Sequence, residues 1–128
     1  MNGETTIEWI QKAEMDYQGA RDLARRRRNP LPDLVCWHCQ QCAEKYLKAF
    51  LTRHRVEFAR THNLTGLLKL CLDVDPDYRL ISDPLQFLNP FGPEICYPGA
   101  STTISDAREA VEAMKQVRKF VRAKMGVQ

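Results

Sequence analysis

Two short segments contain the residue types that most often carry out chemistry in proteins. Cys36, Cys39 and Cys42 recur at every third position, with His38 between the first two, and the second segment is Thr61-His62-Asn63-Leu64. Thiolates and imidazoles bind transition metals, and imidazole also carries protons near neutral pH. Three roles are therefore open for these segments: a metal site, a nucleotide or RNA site, or packing between helices.

The spacing of the cysteines favours packing. Iron–sulfur motifs present their thiolates from a loop that wraps the metal. On a helix, steps of three spread the sulfurs over an arc of ~120° and ~9 Å of axis, which does not suit one tetrahedral ion. Cys71 and Cys96 are far away in the sequence. We therefore expect no metal and no cofactor, with the cysteines acting as small apolar residues at a helix contact.

The size and composition of the chain indicate a single globular domain over residues 1–128, since this length buries a core without disulfides or metals. No apolar run approaches the ~20 residues that span a bilayer. Met1 to Glu4 lack the pattern of a signal peptide, and five cysteines without an export signal argue against a disulfide scaffold. We expect a cytoplasmic protein with no membrane partner. A net charge of +3 does not by itself imply nucleic-acid binding, and no DNA partner is expected.

Hydrophobic periodicity predicts helices and no strand. A capping box, Thr5-Thr6-Ile7-Glu8, begins the first helix. Long helices with short connections indicate an all-α fold, a four- or five-helix up-and-down antiparallel bundle. The predicted helices run from Thr5 to about Arg28, Asp33 to about His54, Asn63 to Asp73, Tyr78 to Asn89 with an irregularity at Pro84, and Thr103 to about Met125.

The charged residues of the first two helices call for an explanation. Asp16 falls on the apolar stripe of the first helix, so we predict a structural role in which it pairs with His62, His38 or Lys45. The arginines at 25–28 are expected to form a solvated last helical turn, where they suit the negative end of the helix dipole. The second helix is predicted to have an exposed polar face formed by Gln41, Glu44, Lys45 and Lys48.

Taken in order, these segments resemble the HEPN family, the helical domain named for higher eukaryotes and prokaryotes nucleotide binding. The resemblance extends over nearly the whole chain. It rests on the order and spacing of Trp9, Ala13, Asp16 and Ala20; of Gln41, Ala43, Glu44, Lys45, Leu47, Lys48 and Ala49; and of Thr61-His62-Asn63-Leu64, Leu67-Leu68, Leu88-Asn89 and Tyr97-Pro98.

The resemblance implies a helical bundle that often forms homodimers. Family members often pair with a small nucleotidyltransferase encoded alongside them, in some cases as toxin and antitoxin. This chain has no Gly-Ser followed by paired aspartates, so a transferase would be a separate protein. Cys96 stands where the resemblance implies an arginine before Tyr97-Pro98, which removes one phosphate contact.

Other family members are metal-independent ribonucleases with an arginine and a histidine close together in sequence. The corresponding pair here is Arg55 and His62. Two features depart from the common pattern. Val56 follows Arg55 where a polar residue is usual, and the pair spans a predicted loop instead of one helix.

The sequence thus predicts a HEPN-type domain that associates with a nucleotide or RNA and is the non-transferase partner of a separate nucleotidyltransferase. A ribonuclease that uses His62 and Arg55, with Arg60 as another candidate cation, is the alternative. A third is a non-catalytic dimeric interaction module. The predicted nucleotide or phosphate contacts are Lys45, Lys48, His62 and Asn63.

Overall fold

The computed structural model describes residues 4–128, which form five α-helices and no strand. The all-α bundle is therefore confirmed, with five helices. Met1 to Gly3, on which the expectation of no export signal partly rests, lie outside the described residues. Among the described helices, none combines the length and the apolar character needed to span a membrane. The helices are α1 (Thr6–Ala24), α2 (Pro32–Arg53), α3 (Leu64–Val74), α4 (Ser82–Leu88) and α5 (Ile104–Lys124), with 3-10 turns at Pro76–Ile81 and Pro93–Cys96.

Capping residues define where the first and last helices begin. The hydroxyl of Thr5 accepts from the Glu8 amide, and the Glu8 carboxylate accepts from the Thr5 amide. Thr103 and Asp106 repeat this arrangement at α5. Each box satisfies two amides that have no partner inside the helix. Both predicted helix starts are confirmed.

The end of α1 differs from the prediction. The helix stops at Ala24, so the arginines at 25–28 lie beyond it and the last helical turn contains only Arg21 as a base. The chain needs these residues to reverse direction before α2. Asn29 adopts a left-handed conformation with φ of 48°, and the following Pro30 disfavours helical geometry at Asn29. The prediction that the arginine run forms the last turn of the helix was wrong.

The fourth predicted helix is divided in two. A 3-10 turn, Pro76–Ile81, leads into α4. Pro84 lies in the first turn of α4, where an amide has no intrahelical acceptor, so the missing N–H costs nothing. The irregularity therefore precedes the proline instead of occurring at it.

Helix α2 is the centre of the bundle and contacts α1, α3, α4 and α5. Fifteen of its 22 residues are buried, which leaves almost no solvent-facing side. The predicted exposed polar face is therefore wrong for three of its four residues. Gln41, Glu44 and Lys48 are buried, and Lys45 is partly exposed.

Small side chains are fully buried where α1 and α2 pack into the bundle. Ala13 and Ala20 of α1 and all three cysteines of α2 have no exposed surface. Burial raises the pKa of the Cys36 thiol to about 11 and raises that of Cys39 and Cys42 as well. These thiols are neutral at physiological pH. Over residues 4–128, no three His, Cys, Asp or Glu side chains are grouped to hold a metal ion.

A polar clamp joins α1 and α5 across α2. Arg118 donates to both carboxylate oxygens of Glu14 at 2.8 Å. Tyr46 of α2 also donates to Glu14 and accepts from Arg122 at 3.0 Å. Burial of Glu14 raises its pKa, but the hydrogen bonds from Arg118 and Tyr46 outweigh this effect and hold the pKa below its ordinary value.

This clamp predicts a specific loss of stability in acid. Because its pKa is lowered by folding, ionised Glu14 stabilises the fold above the unfolded pKa of about 4.3, and that contribution disappears as pH falls through the folded value. Glu14→Gln should lower the unfolding free energy by about 2 kcal/mol at pH 7. In urea titrations the difference from wild type should shrink below pH 4. The exposed Glu109→Gln is the control, and a pH-independent difference for Glu14→Gln would contradict the clamp.

Candidate functional site

A buried carboxylate organises the polar residues between α2 and α3. The Glu44 side chain is 3% exposed and lies 2.9 Å from both Lys48 Nζ and His62 Nδ1. Two amides complete its surroundings, with Gln41 Nε2 at 3.2 Å and Gln40 Nε2 at 3.4 Å. A carboxylate taken out of water needs such partners, because an unpaired buried charge is strongly unfavourable.

His62 is fixed by two contacts to α2, although it lies before α3. Its carbonyl accepts from Gln40 Nε2 at 2.8 Å, and its ring Nδ1 lies 2.9 Å from Glu44. Gln41 Nε2 is further away, at 3.5 Å. The shorter contact to a carboxylate makes Nδ1 the protonated nitrogen, so the lone pair of the neutral ring is on Nε2. The side chain is 54% exposed, which leaves it accessible to a ligand.

The histidine borders a cleft of about 290 Å³. Lys48 lies beneath two of the lining rings, with Nζ 5.3 Å from the Trp9 centroid and 5.7 Å from the Phe58 centroid. Its side chain is 8% exposed, so the ammonium is buried and contacts both aromatic rings from the protein interior. Arg60 is exposed and supplies the accessible cation. The cleft is lined by Glu4, Trp9, Lys48, Phe58, Arg60, Thr61 and His62.

A second buried carboxylate lies further along the contact between α1 and α2. Asp16 is 2.8 Å from His38 Nδ1 and 2.6 Å from Lys45 Nζ. Of the three predicted partners, it therefore has two, and the third, His62, pairs with Glu44. Lys45 belongs to this cluster and does not line the His62 cleft.

Comparisons with known proteins agree with this architecture. A family model described as the HEPN domain matches residues 6–124. The chain belongs to the HEPN family. It is also similar to the crystal structure of an archaeal HEPN homologue, with 26% sequence identity and a TM-score of 0.72. That match covers 94% of this chain and 98% of the archaeal one. No curated protein sequence gives a significant match.

The remaining predicted site residues lie in different places in this HEPN domain. Asn63 caps α3, and its Oδ1 accepts from the amides of Thr65 at 3.0 Å and Gly66 at 3.3 Å. Arg55 is exposed just beyond α2 with φ of 58° and does not line the cleft. The structure thus places Lys48 and His62 together, with Arg60 as the neighbouring arginine.

Two features of the HEPN site were missed in the sequence. Glu44 was predicted to lie with Lys48 on an exposed polar face of the second helix, because acidic and basic residues four positions apart are common on helix surfaces. Its burial depends on α3 covering this side of α2. The aromatic lining from Trp9 and Phe58 joins residues that are far apart in sequence; their rings lie 6.1 Å apart. A signal was present, since Phe58 is the one aromatic residue in the connection between α2 and α3.

Asp16 should matter for the stability of the HEPN bundle. Asp16→Ala removes the partner of both His38 and Lys45, so the unfolding free energy should fall by about 3 kcal/mol in urea titrations. Asp22→Ala is the matched control, because Asp22 is an exposed acid of the same helix that pairs with Arg25 at 3.5 Å. Equal losses of unfolding free energy in the two variants would show that the contacts of Asp16 add no more stability than those of an exposed acid.

Proposed function

We propose that this HEPN domain binds RNA or a nucleotide in the His62 cleft, as the non-transferase component of a two-component system. The observation that carries the proposal is the His62 ring, half exposed and fixed through Nδ1 to the buried Glu44. A structural histidine needs no accessible second nitrogen, whereas a ligand-binding one does.

The cleft provides the contacts that single-stranded nucleic acid uses. Trp9 and Phe58 offer aromatic surface against which bases stack. Arg60 provides a planar cation suited to a phosphate. Lys48 and Arg60 are balanced by Glu4 and Glu44, so the cleft has no excess of positive side chains. Binding should therefore favour short single strands or nucleotides over long duplexes, whose recognition needs an extended positive surface.

The partner in this proposal is a separately encoded minimal nucleotidyltransferase, in an arrangement of the toxin–antitoxin type, with the HEPN component as a homodimer. Family membership supports it, as does the lack of a transferase motif in this chain. A reading frame for such a transferase beside the gene, and co-purification of the two proteins, would support the partnership. Absence of both would leave the HEPN domain to act alone.

The binding proposal predicts which arginine contacts RNA. Anisotropy with a labelled single-stranded RNA should show about tenfold weaker binding for Arg60→Ala. The slope of the logarithm of the binding constant against the logarithm of the salt concentration should be smaller in magnitude by about one. Arg79→Ala, which removes an exposed arginine outside the cleft, is the matched control. An unchanged affinity in Arg60→Ala would exclude the cleft as the RNA site.

Ribonuclease activity is the second candidate, favoured by the orientation of His62. With Nδ1 donating to Glu44, Nε2 is free to accept the proton of a ribose 2′-hydroxyl as that oxygen attacks the adjacent phosphorus. The bond from phosphorus to the 5′-oxygen then breaks, which leaves a 2′,3′-cyclic phosphate, and the departing 5′-oxygen takes a proton from water. Arg60, which borders the same cleft, would stabilise the charge that develops on the phosphate oxygens. Glu44 would stabilise the imidazolium that forms, as a carboxylate does in a catalytic triad.

Cleavage assays distinguish the two arginines. His62→Ala should reduce cleavage of single-stranded RNA by at least about 100-fold, because a general base contributes that much. Arg60→Ala should be strongly impaired and Arg55→Ala should retain activity. An RNA with one 2′-deoxy position should resist cleavage there. Ribonuclease activity at this site would be excluded if the RNA stays intact, or if His62→Ala cleaves it as fast as wild type.

A further inference from the structure

A second cavity lies at the opposite end of the α1–α2 pair from His62. It has a volume of about 720 Å³, more than twice that of the His62 cleft. The turn between α1 and α2 forms one side, and the first turns of α5 form the other. Volumes of this size are typical of ligand-binding sites.

The lining of this cavity combines only two kinds of side chain. Its floor is aliphatic and includes Leu23, Val35 and Ile104. Its rim consists of the arginines at 25–27 together with Arg108. Among residues 4–128, no acidic, aromatic or neutral polar side chain lines it. A suitable ligand therefore has aliphatic groups and several negative charges.

The fold itself makes little use of the rim arginines. They lie outside α1, and Arg108 is an exposed residue of α5. Within residues 4–128, the one ion pair among them joins Arg25 to the exposed Asp22 at 3.5 Å. Together they place four positive side chains around one cavity, in a chain whose net charge is only +3. Such a concentration of charge steers an acidic partner to this place.

The walls of the cavity are held in position by neighbouring contacts. Pro30 and Pro32 restrict the turn, and Asn29 adopts its left-handed conformation between them and the arginines. Asp33 accepts from both the amide and the hydroxyl of Thr102 at 2.7 Å, which ties the start of α2 to the approach to α5. A site that is already formed loses less conformational entropy when a ligand binds.

We infer that this cavity docks an extended acidic segment of a partner protein, whose aliphatic side chains enter the floor while its carboxylates pair with the rim arginines. Planar guanidinium groups suit carboxylates in a bidentate geometry. Single-stranded RNA fits less well, because such sites combine cations with aromatic rings that stack the bases. The inference is independent of the function of the His62 cleft.

The probe is a labelled synthetic peptide of alternating Leu and Asp, measured by anisotropy with the full chain. The double variant Arg26→Ala/Arg27→Ala should weaken its binding by more than tenfold, as expected for charge-assisted contacts. Ile104→Ser, at a half-exposed position, should weaken it severalfold through the floor. Arg79→Ala and His62→Ala should bind as wild type. A peptide with Asn in place of Asp should not bind.

Three results would overturn the inference. The first is no binding of the Leu-Asp peptide. The second is equal weakening by Arg79→Ala, which would show general attraction to a basic protein. The third combines two observations: single-stranded RNA displaces the peptide, and that RNA binds Ile104→Ser as tightly as wild type. Together they would show that the rim binds phosphates without help from the aliphatic floor. Because His62→Ala serves as a control here, failure of the His62 proposal leaves the outcome unaffected.

Discussion

The enclosure of α2 is the constraint on which the rest of the structure depends. A helix surrounded by α1, α3, α4 and α5 cannot solvate its polar side chains, so each buried one needs a partner inside the protein. Glu44 pairs with Lys48 and His62, and Tyr46 forms hydrogen bonds with Glu14 and Arg122. These pairs connect α2 to its neighbours and specify how the neighbours lie against it.

The same constraint produces the candidate site. Glu44 is buried and charged, and the segment before α3 supplies the histidine that satisfies it. The histidine is held through Nδ1, and its half-exposed side chain borders the cleft. A contact that satisfies a buried charge in the bundle therefore also orients a proton-carrying group. One pair of side chains therefore stabilises the bundle and orients the candidate site, and Lys48 contacts both that pair and the aromatic rings.

The two ends of the α1–α2 pair differ in chemistry because the connecting segments pack differently there. At the His62 end, the connection after α2 packs back so that Phe58 contacts Trp9, and the Glu44–Lys48 pair is buried. At the other end, the chain turns sharply, and the arginines stay in solvent around an aliphatic floor. The domain thereby presents two separate surfaces, a cleft lined by aromatic rings and a histidine and a cavity with an aliphatic floor and an arginine rim.

Local features of the sequence determined the helices, because capping boxes, prolines and periodicity act within a few residues of one another. The starts at Thr5 and Thr103 and the all-α bundle followed from them. The HEPN resemblance rested instead on the order and spacing of particular residues in these segments, and the family match confirms it. Only the tertiary structure decided which polar residues are buried. Glu44 and Lys48 have the spacing of an exposed surface pair, and the arginine run has the composition of a helix end. Their surroundings depend on which helices cover α2 and where the chain must reverse, and those are contacts between residues distant in sequence.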